Sequence, residues 1–421
     1  MAKSTKYIYN QDMEIKKDKE IIERILTKGV EQILPSKEAL KEKLLSGKRL
    51  TIYQGFDPTA PTLHIGHTVG MRKLEDFRLL GHKVIFLIGD FTARIGDPGD
   101  KKEARASARK VLTKEQIADN LKNYVEQASH IIDINNKENP VEIKYNGEWH
   151  DKLTFAEIIE LASEFTVQQM LKRSMFQERL KEDRPIYLNE FLYPLMQGYD
   201  SVMMEVDVEV GGNDQLFNML AGRDMVFNHL NKEKIVIAGK LLTAADGEKM
   251  GKSEGNMVRL DDNAKDIYGK IMSFEDEKIL IGFEILTKAT LPELEEYKKR
   301  LESGENPMIL KKELAYRVTT EIKSEEEAIN AQKVFESVFQ KKDVEGEIPT
   351  IQIKENKLPL NDLLVQIDFA KSKSEARRLI DQGAVKINDE KKTTYNEEIA
   401  ITNTPQTIKV GKHITNITIQ E

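Results

Sequence analysis

Four clusters in the chain combine residue types and spacings that suit chemistry on a nucleotide or a small polar molecule. The first is Pro58-Thr59-Ala60-Pro61-Thr62-Leu63-His64-Ile65-Gly66-His67. It falls between a predicted strand and a predicted helix, where backbone N–H groups and the helix dipole meet phosphates in open α/β folds. His64 and His67, three apart, share one face of the starting helix and can donate hydrogen bonds to phosphate oxygens. Gly66 between them lets a flat ring approach the backbone. Two surface histidines at a helix start account for the same letters without a ligand, and a zinc pair lacks an obvious third ligand nearby.

The second cluster, Lys249-Met250-Gly251-Lys252-Ser253, follows Asp246-Gly247. A phosphate-binding P-loop needs four residues between its glycines, and here there are three. What remains is a loop with two lysines spaced to touch a polyphosphate, or a solvated Lys-rich loop. The third is Tyr193, Gln197 and Asp200, a stripe down one helical face. A phenol, an amide and a carboxylate each need a partner when buried, so the stripe suits a small polar ligand; a partly exposed polar face is the alternative. The fourth, Gly211-Gly212-Asn213-Asp214-Gln215, follows a strand and opens a helix. Asp214 there can accept from ribose hydroxyls, while a structural Gly-Gly turn with an Asn/Asp cap explains the same residues with no ligand.

The elements that must position these clusters alternate. Residues 13–47 carry helical periodicity and predict an amphipathic N-terminal layer. Thr51 to Gln54 reads as a strand, Gly66 to Leu80 as a helix closed by Gly81, and Lys83 to Gly89 as a strand buried on both faces, a βαβ unit. A helix through Ile117 and Ile131, a strand at Val141 to Tyr145, and a helix from the Thr154/Glu157 capping box to about Arg173 follow. A helix at Asn189 to Tyr199, strands at Glu205 to Val210 and Lys234 to Ala238, and a helix from Asn213 complete an open α/β sheet. Strand signals then vanish over 262–340, and short strands return around one helix, Ser374 to Asp381. The division expected is a nucleotide-binding domain over 1–258 (with 1–50 as a helical layer), a helical domain over 259–343, a linker over 344–356 and a small domain over 357–421.

At roughly 150 residues per domain, three domains fit the length of the chain. Of its 421 residues, 39% are apolar, which suffices for a sizeable core. The balance of 64 basic and 71 acidic residues, a net charge of −7, argues against nonspecific nucleic-acid coating and leaves room for a local basic face. Zero cysteines exclude disulfides, thiolate nucleophiles and Cys-ligated zinc, and fit a reducing compartment. No apolar segment reads as a signal peptide or membrane span, so the expected location is cytoplasmic.

In this order and spacing the clusters resemble the bacterial-type tyrosyl-tRNA synthetases, of class I. His64-Ile65-Gly66-His67 matches the HIGH motif in full, and Lys249 to Ser253 matches KMSKS with Gly251 at the first serine. Tyr53 to Thr59, Gly96-Asp97-Pro98, Glu190 to Asp200 and Gly211 to Gln215 complete the match, and the segment from Leu358 resembles an S4-type RNA-binding domain. The implied fold is a Rossmann-like α/β catalytic domain with a parallel sheet, then an all-helical anticodon-binding domain and a small α+β S4-like domain.

The resemblance implies activation of L-tyrosine by ATP to tyrosyl-adenylate, then transfer to the terminal adenosine of tRNA(Tyr). By it, Tyr53 and Asp200 clasp the substrate phenol, and Asp97, Tyr193 and Gln197 hold the ammonium. His64, His67, Thr59, Lys249 and Lys252 offset developing charge on the phosphates, aided by Lys101 and Arg105. Asp100 departs from the family's usual Ser-Gly before that lysine. Asp57, Gly212 and Asp214 cradle the ribose, beside Gly66. Lys371, Lys373, Arg377 and Arg378 form an RNA-contacting stretch in a tail (357–421) that has ten basic and nine acidic residues. A homodimer is implied, as is ATP as substrate with Mg²⁺, with no tightly bound cofactor and no protein metal site. The rivals are a tryptophan enzyme of the same fold and a catalytically silent, synthetase-derived RNA-binding protein. The Tyr53/Asp200 pair suits a phenol oxygen better than an indole N–H, and both signature motifs are present.

Overall fold

Val84 to Ile88 are apolar at every position, as a strand covered on both faces must be. The computed structural model describes residues 13–99, 113–242, 257–339, 350–411 and 413–419. In it these five residues are at most 1% exposed and lie in a six-stranded sheet. Its strands are β1 (Val30–Leu34), β2 (Thr51–Phe56), β3 (Lys83–Ile88), β4 (Glu142–Tyr145), β5 (Val208–Gly212) and β6 (Ile235–Gly239). They are ordered β1-β6-β5-β2-β3-β4. All neighbours are parallel except β1, which runs antiparallel to β6 at the edge. The chain leaves β2 for β3 on one side and β5 for β6 on the other. The carboxyl ends of β2 and β5 therefore form the switch point where open α/β sheets bind ligands.

The helix Ile65–Leu79 begins at the end of the loop after β2 and stops at Gly81, whose φ of 92° only glycine adopts easily. Helices Leu192–Met203 and Leu216–Leu230 flank β5 and meet at glycine. A Cβ on Gly198 would lie 3.2 Å from Gly222 Cα. The helices Ala264–Met272, Ile279–Leu286, Leu291–Glu302 and Pro307–Ile322 belong to the same compact unit, Met1–Gln332. Ion pairs Arg72–Glu321 (2.5 Å) and Lys240–Glu284 (2.8 Å) join them to the sheet layer.

Three sequence expectations change in this unit. The helical layer read over 13–47 contains a strand, because Gly29 at φ 65° breaks the helix Lys19–Thr27 and Val30–Leu34 pairs with β6. The helix read from Thr154 to about Arg173 is two, Phe155–Ser163 and Val167–Leu171, followed by Ser174–Lys181. Thr166 with Gln169 forms a second capping box that restarts the chain. The stretch through Ile117 and Ile131 likewise divides into Lys114–Leu121 and Tyr124–Ser129.

The second unit, Lys333–Glu421, has its own core of Leu360, Leu364, Ala376, Ile380, Val385, Ile408 and Ile417. From residue 357 onward its described residues form two helices rather than the one expected, Leu360–Gln366 and Lys373–Asp381, because the apolar Leu360, Leu363 and Leu364 pack into that core. Thr350–Ile353, inside the stretch read as linker, pairs in parallel with His413–Ile419.

Candidate active site

His64 caps the helix Ile65–Leu79, its Nδ1 accepting from Gly66 N at 3.1 Å, while His67 Nδ1 accepts from His64 N at 3.1 Å. The two rings stack 3.8 Å apart. A ring nitrogen that accepts from the backbone carries no proton, so both histidines are fixed in the tautomer with the proton on Nε2. That atom is the donor a phosphate oxygen requires. Thr59 lies exposed on the preceding turn, its N–H bonded to Asp57 O.

A chain of hydrogen bonds runs from the end of β2 to the helix Leu192–Met203. Tyr193 donates to Asp57 Oδ2 at 2.9 Å, and Thr92 Oγ1 donates to Asp57 Oδ1 at 2.6 Å. Asn146 Nδ2 then bridges Thr92 Oγ1 (3.0 Å) and Asp200 Oδ2 (3.2 Å). Asp200, 2% exposed, also accepts from Trp149 Nε1 at 2.8 Å and His150 Nε2 at 2.7 Å. Burial pushes both carboxyls up, Asp57 to about 7, against the donors that hold them down. Gly89 leaves room for this chain, since a Cβ there would meet Asp57 Oδ1 at 1.9 Å.

On the other side, Tyr53 is 1% exposed and its hydroxyl lies 2.8 Å from Ser201 Oγ. Gln197 Nε2 donates to Glu209 Oε1 at 3.0 Å. Asp97 accepts from Gly99 N (2.8 Å) and Gln215 Nε2 (2.6 Å), and Arg173 Nη2 stands 3.5 Å away. Gln215 also reaches Asp214, at 3.4 Å. Gly212 sits against that carboxylate, where a Cβ would meet Asp214 Oδ1 at 2.4 Å. Asp57, Asp97, Tyr193, Gln197, Asp200, Gly212 and Asp214 therefore gather around the carboxyl ends of β2 and β5, with Tyr53 inside β2 and the two histidines and Gly66 at the start of the helix that follows it. Lys101, Arg105, Lys249 and Lys252 lie outside the described residues. Lys371, Lys373, Arg377 and Arg378 are exposed in the second unit. Lys373 pairs with Asp362 at 2.6 Å, and Arg377 lies over the Tyr395 ring at 4.8 Å.

A family model described as tRNA synthetases class I (W and Y) matches residues 45–340, and one described as the tyrosine–tRNA ligase SYY-like C-terminal domain matches 340–408. The first leaves tryptophan and tyrosine open; the relatives decide between them. A tyrosine–tRNA ligase of Thermotoga maritima is 43% identical over 92% of this chain and 95% of its own. One of Moorella thermoacetica is 42% identical over 92% and 93%. The chain belongs to the tyrosine–tRNA ligase family. A solved mitochondrial tyrosyl-tRNA synthetase of Coccidioides posadasii, C-terminally truncated, superimposes with a TM-score of 0.61 at 25% identity, over 75% of this chain and 92% of that one.

In this tyrosine–tRNA ligase fold, several residues around the site went unread in the sequence: Thr92, Asn146, Trp149, His150, Ser201, Glu209, Arg173 and Lys234. A signal existed for one group, since Asn146-Gly-Glu-Trp149-His150 holds the chain's single tryptophan beside a polar pair at a strand end. The others depend on long-range pairing and carry no local signature.

A cavity of about 470 Å³ lies away from these residues, between Lys19–Thr27, Ile65–Leu79 and Ile279–Leu286. Its cations cap helix ends, where carbonyls lack partners. Lys73 donates to Ile25 O (3.0 Å), Lys28 to Thr287 O (2.7 Å) and Arg72 to Leu286 O (2.6 Å).

Proposed function

We propose that, in the ligation of tyrosine to tRNA that the family performs, Tyr53 and Asp200 hold the phenol and Asp97, Tyr193 and Gln197 hold the ammonium. The observation that carries this is the juxtaposition of acceptors: Asp97 and Asp200 lie close enough to Asp57 to raise its proton affinity, a surplus of negative charge that suits a cation. Tyr193, which donates its proton to Asp57, acts as an acceptor toward an ammonium. Asp200 already takes three donors, and a carboxylate has room for a fourth from the phenol. Phenylalanine would leave that fourth position unfilled, at a cost of about 1–3 kcal/mol.

His64 and His67 donate from Nε2 to the ATP phosphates as tyrosine's carboxylate attacks the α-phosphate and pyrophosphate leaves. Thr59, Lys101, Arg105, Lys249 and Lys252 add donors there. Asp57, Asp214, Gly66 and Gly212 hold the adenosine side. Mg²⁺ enters as part of the nucleotide substrate, on its phosphate oxygens. In the second step the tRNA is held through the helices after residue 259 and through Lys371, Lys373, Arg377 and Arg378, an exposed basic face opposite the buried Ala376 and Ile380. The domain limits proposed are 1–258 and 259–343, with the small domain beginning at the strand Thr350–Ile353 rather than at 357.

A homodimer accounts for the apolar side chains left in water on the helices after β4. Among them Phe155 is 78% exposed and Leu188 83%, with Ile159, Val167 and Leu180 also exposed. No described helix is long and apolar enough to cross a membrane. A cytoplasmic location fits a chain without cysteine. The test is discrimination. Tyr53→Phe and Asp200→Asn should each lower the kcat/KM ratio of tyrosine over phenylalanine about 10- to 100-fold. An unchanged ratio in both would remove the pair from the phenol.

A further inference from the structure

Beneath the tyrosine site lies an ion pair that no part of the reaction described so far uses. Lys234, fully buried immediately before β6, forms an ion pair with Glu209 of β5, itself 2% exposed, and donates to Ser201 Oγ at 2.9 Å. Burying two charges costs several kcal/mol before their attraction is counted, and a hydrophobic pair of the same size would serve packing as well or better. The surrounding helices are nevertheless shaped to admit the lysine. A Cβ on Gly222 would lie 2.6 Å from Lys234 Nζ and 3.1 Å from Ser201 Oγ.

The partners of this pair are the groups that face the substrate. Glu209 Oε1 accepts from Gln197 Nε2 at 3.0 Å, and Gln197 Oε1 is buried without a hydrogen-bond partner among the described residues. A carboxylate can only accept, so Glu209 holds the amide with its NH₂ toward Glu209 and its oxygen turned away from it. A buried oxygen without a donor is what an ammonium needs. Ser201 sits between Lys234, which can only donate, and the Tyr53 hydroxyl at 2.8 Å; its other acceptor, Glu209 Oε2, is farther at 3.3 Å. When Ser201 gives its proton to the nearer Tyr53, the Tyr53 hydroxyl can donate to the substrate phenol oxygen, whose proton then goes to Asp200, with Glu209 as the competing acceptor for the Tyr53 proton. In the reverse sense, Tyr53 and Asp200 would both demand the single proton of the substrate phenol.

We propose that Lys234 and Glu209 are positioning residues for tyrosine recognition: Glu209 orients the Gln197 amide toward the ammonium, and Lys234, through Ser201, orients the Tyr53 hydroxyl as a donor to the phenol. The proposal rests on the assignment of Tyr53, Asp200 and Gln197 to the tyrosine site, so its test carries an arm for each. The measurements are equilibrium binding of tyrosine and of 3-(4-hydroxyphenyl)propionate, which lacks the ammonium, together with the tyrosine/phenylalanine ratio of kcat/KM in pyrophosphate exchange.

Glu209→Gln places an amide donor against Gln197 and turns that side chain over. Tyrosine binding should weaken about 10- to 100-fold while the propionate and the KM for ATP hold. Ser201→Ala, a small change that leaves the ion pair in place, should lower the tyrosine/phenylalanine ratio about 10-fold. Should Glu209→Gln fail to fold, the double variant Glu209→Met/Lys234→Met, with no buried charge and no acceptor left to orient Gln197, carries the same binding expectation. Equal losses for tyrosine and the propionate, or a ratio unmoved by Ser201→Ala, would assign the pair to packing alone and overturn the proposal. If instead Asp200→Asn leaves the ratio untouched, the site assignment itself fails, and the proposal with it.

Discussion

The Tyr193 hydroxyl donates to Asp57 Oδ2 across 2.9 Å, tying the helix that faces the substrate to the loop that leads to the phosphate site. Burial pushes the Asp57 carboxyl up to about 7 from an ordinary 3.8, although Thr92 and Tyr193 both donate to it. The folded chain therefore binds this proton more tightly than the unfolded one, and the stability linked to it is lost as pH rises from about 4 to about 7. Binding asks for the ionised form. We expect kcat/KM for tyrosine to rise through an apparent pKa near 7, and Asp57→Asn to flatten that limb of the profile. A pH profile identical in the variant would exclude Asp57 as its source.

His64 does two things that substitution can separate. Asparagine keeps a side-chain acceptor for Gly66 N. His64→Asn should therefore melt near the parent temperature, whereas His64→Ala should lose about 1 kcal/mol with the cap. Both remove the Nε2 donor, and so does His67→Gln. All three should slow single-turnover adenylate formation by about 10²- to 10³-fold with tyrosine affinity unchanged. A variant that weakens tyrosine binding as much as it slows the chemical step would contradict a role confined to the phosphates.

His82 offers a stability test far from the chemistry. It is fully buried, its Nδ1 accepting from Leu50 N at 3.2 Å, and burial lowers it to about 4 from 6.5. A folded value below the unfolded one means that its stabilisation is complete above 6.5 and lost as pH falls from there toward 4. The loss amounts to at most about 3 kcal/mol. Urea melts at pH 7.5 and 4.5 should differ less in His82→Gln than in the parent chain; the same difference in both would place the acid sensitivity elsewhere.

Much of this was legible before the fold was known. Val84 to Ile88 could only be a strand covered on both faces, and the loops at His64 and Gly211 lie where an α/β sheet binds ligands, because local pattern and local turn chemistry determine such elements. The stripe of Tyr193, Gln197 and Asp200 was readable for the same reason, as a period along one helix. What surrounds it was not. Asn146 bridges Thr92 and Asp200, and Lys234 reaches Glu209, through contacts between residues tens of positions apart, which no periodicity records. The edge strand Val30–Leu34 was hidden by neighbouring helices, since five residues beside a glycine hold too few turns to establish a period.

The central claim, that the pocket of Tyr53 and Asp200 selects tyrosine for activation, is tested most directly by amino-acid-dependent exchange of labelled pyrophosphate into ATP. Tyrosine should support exchange, phenylalanine and tryptophan should not at the same concentration, and Asp200→Asn should narrow the gap between tyrosine and phenylalanine. Exchange supported by tryptophan and not tyrosine, or by no amino acid, would contradict the account.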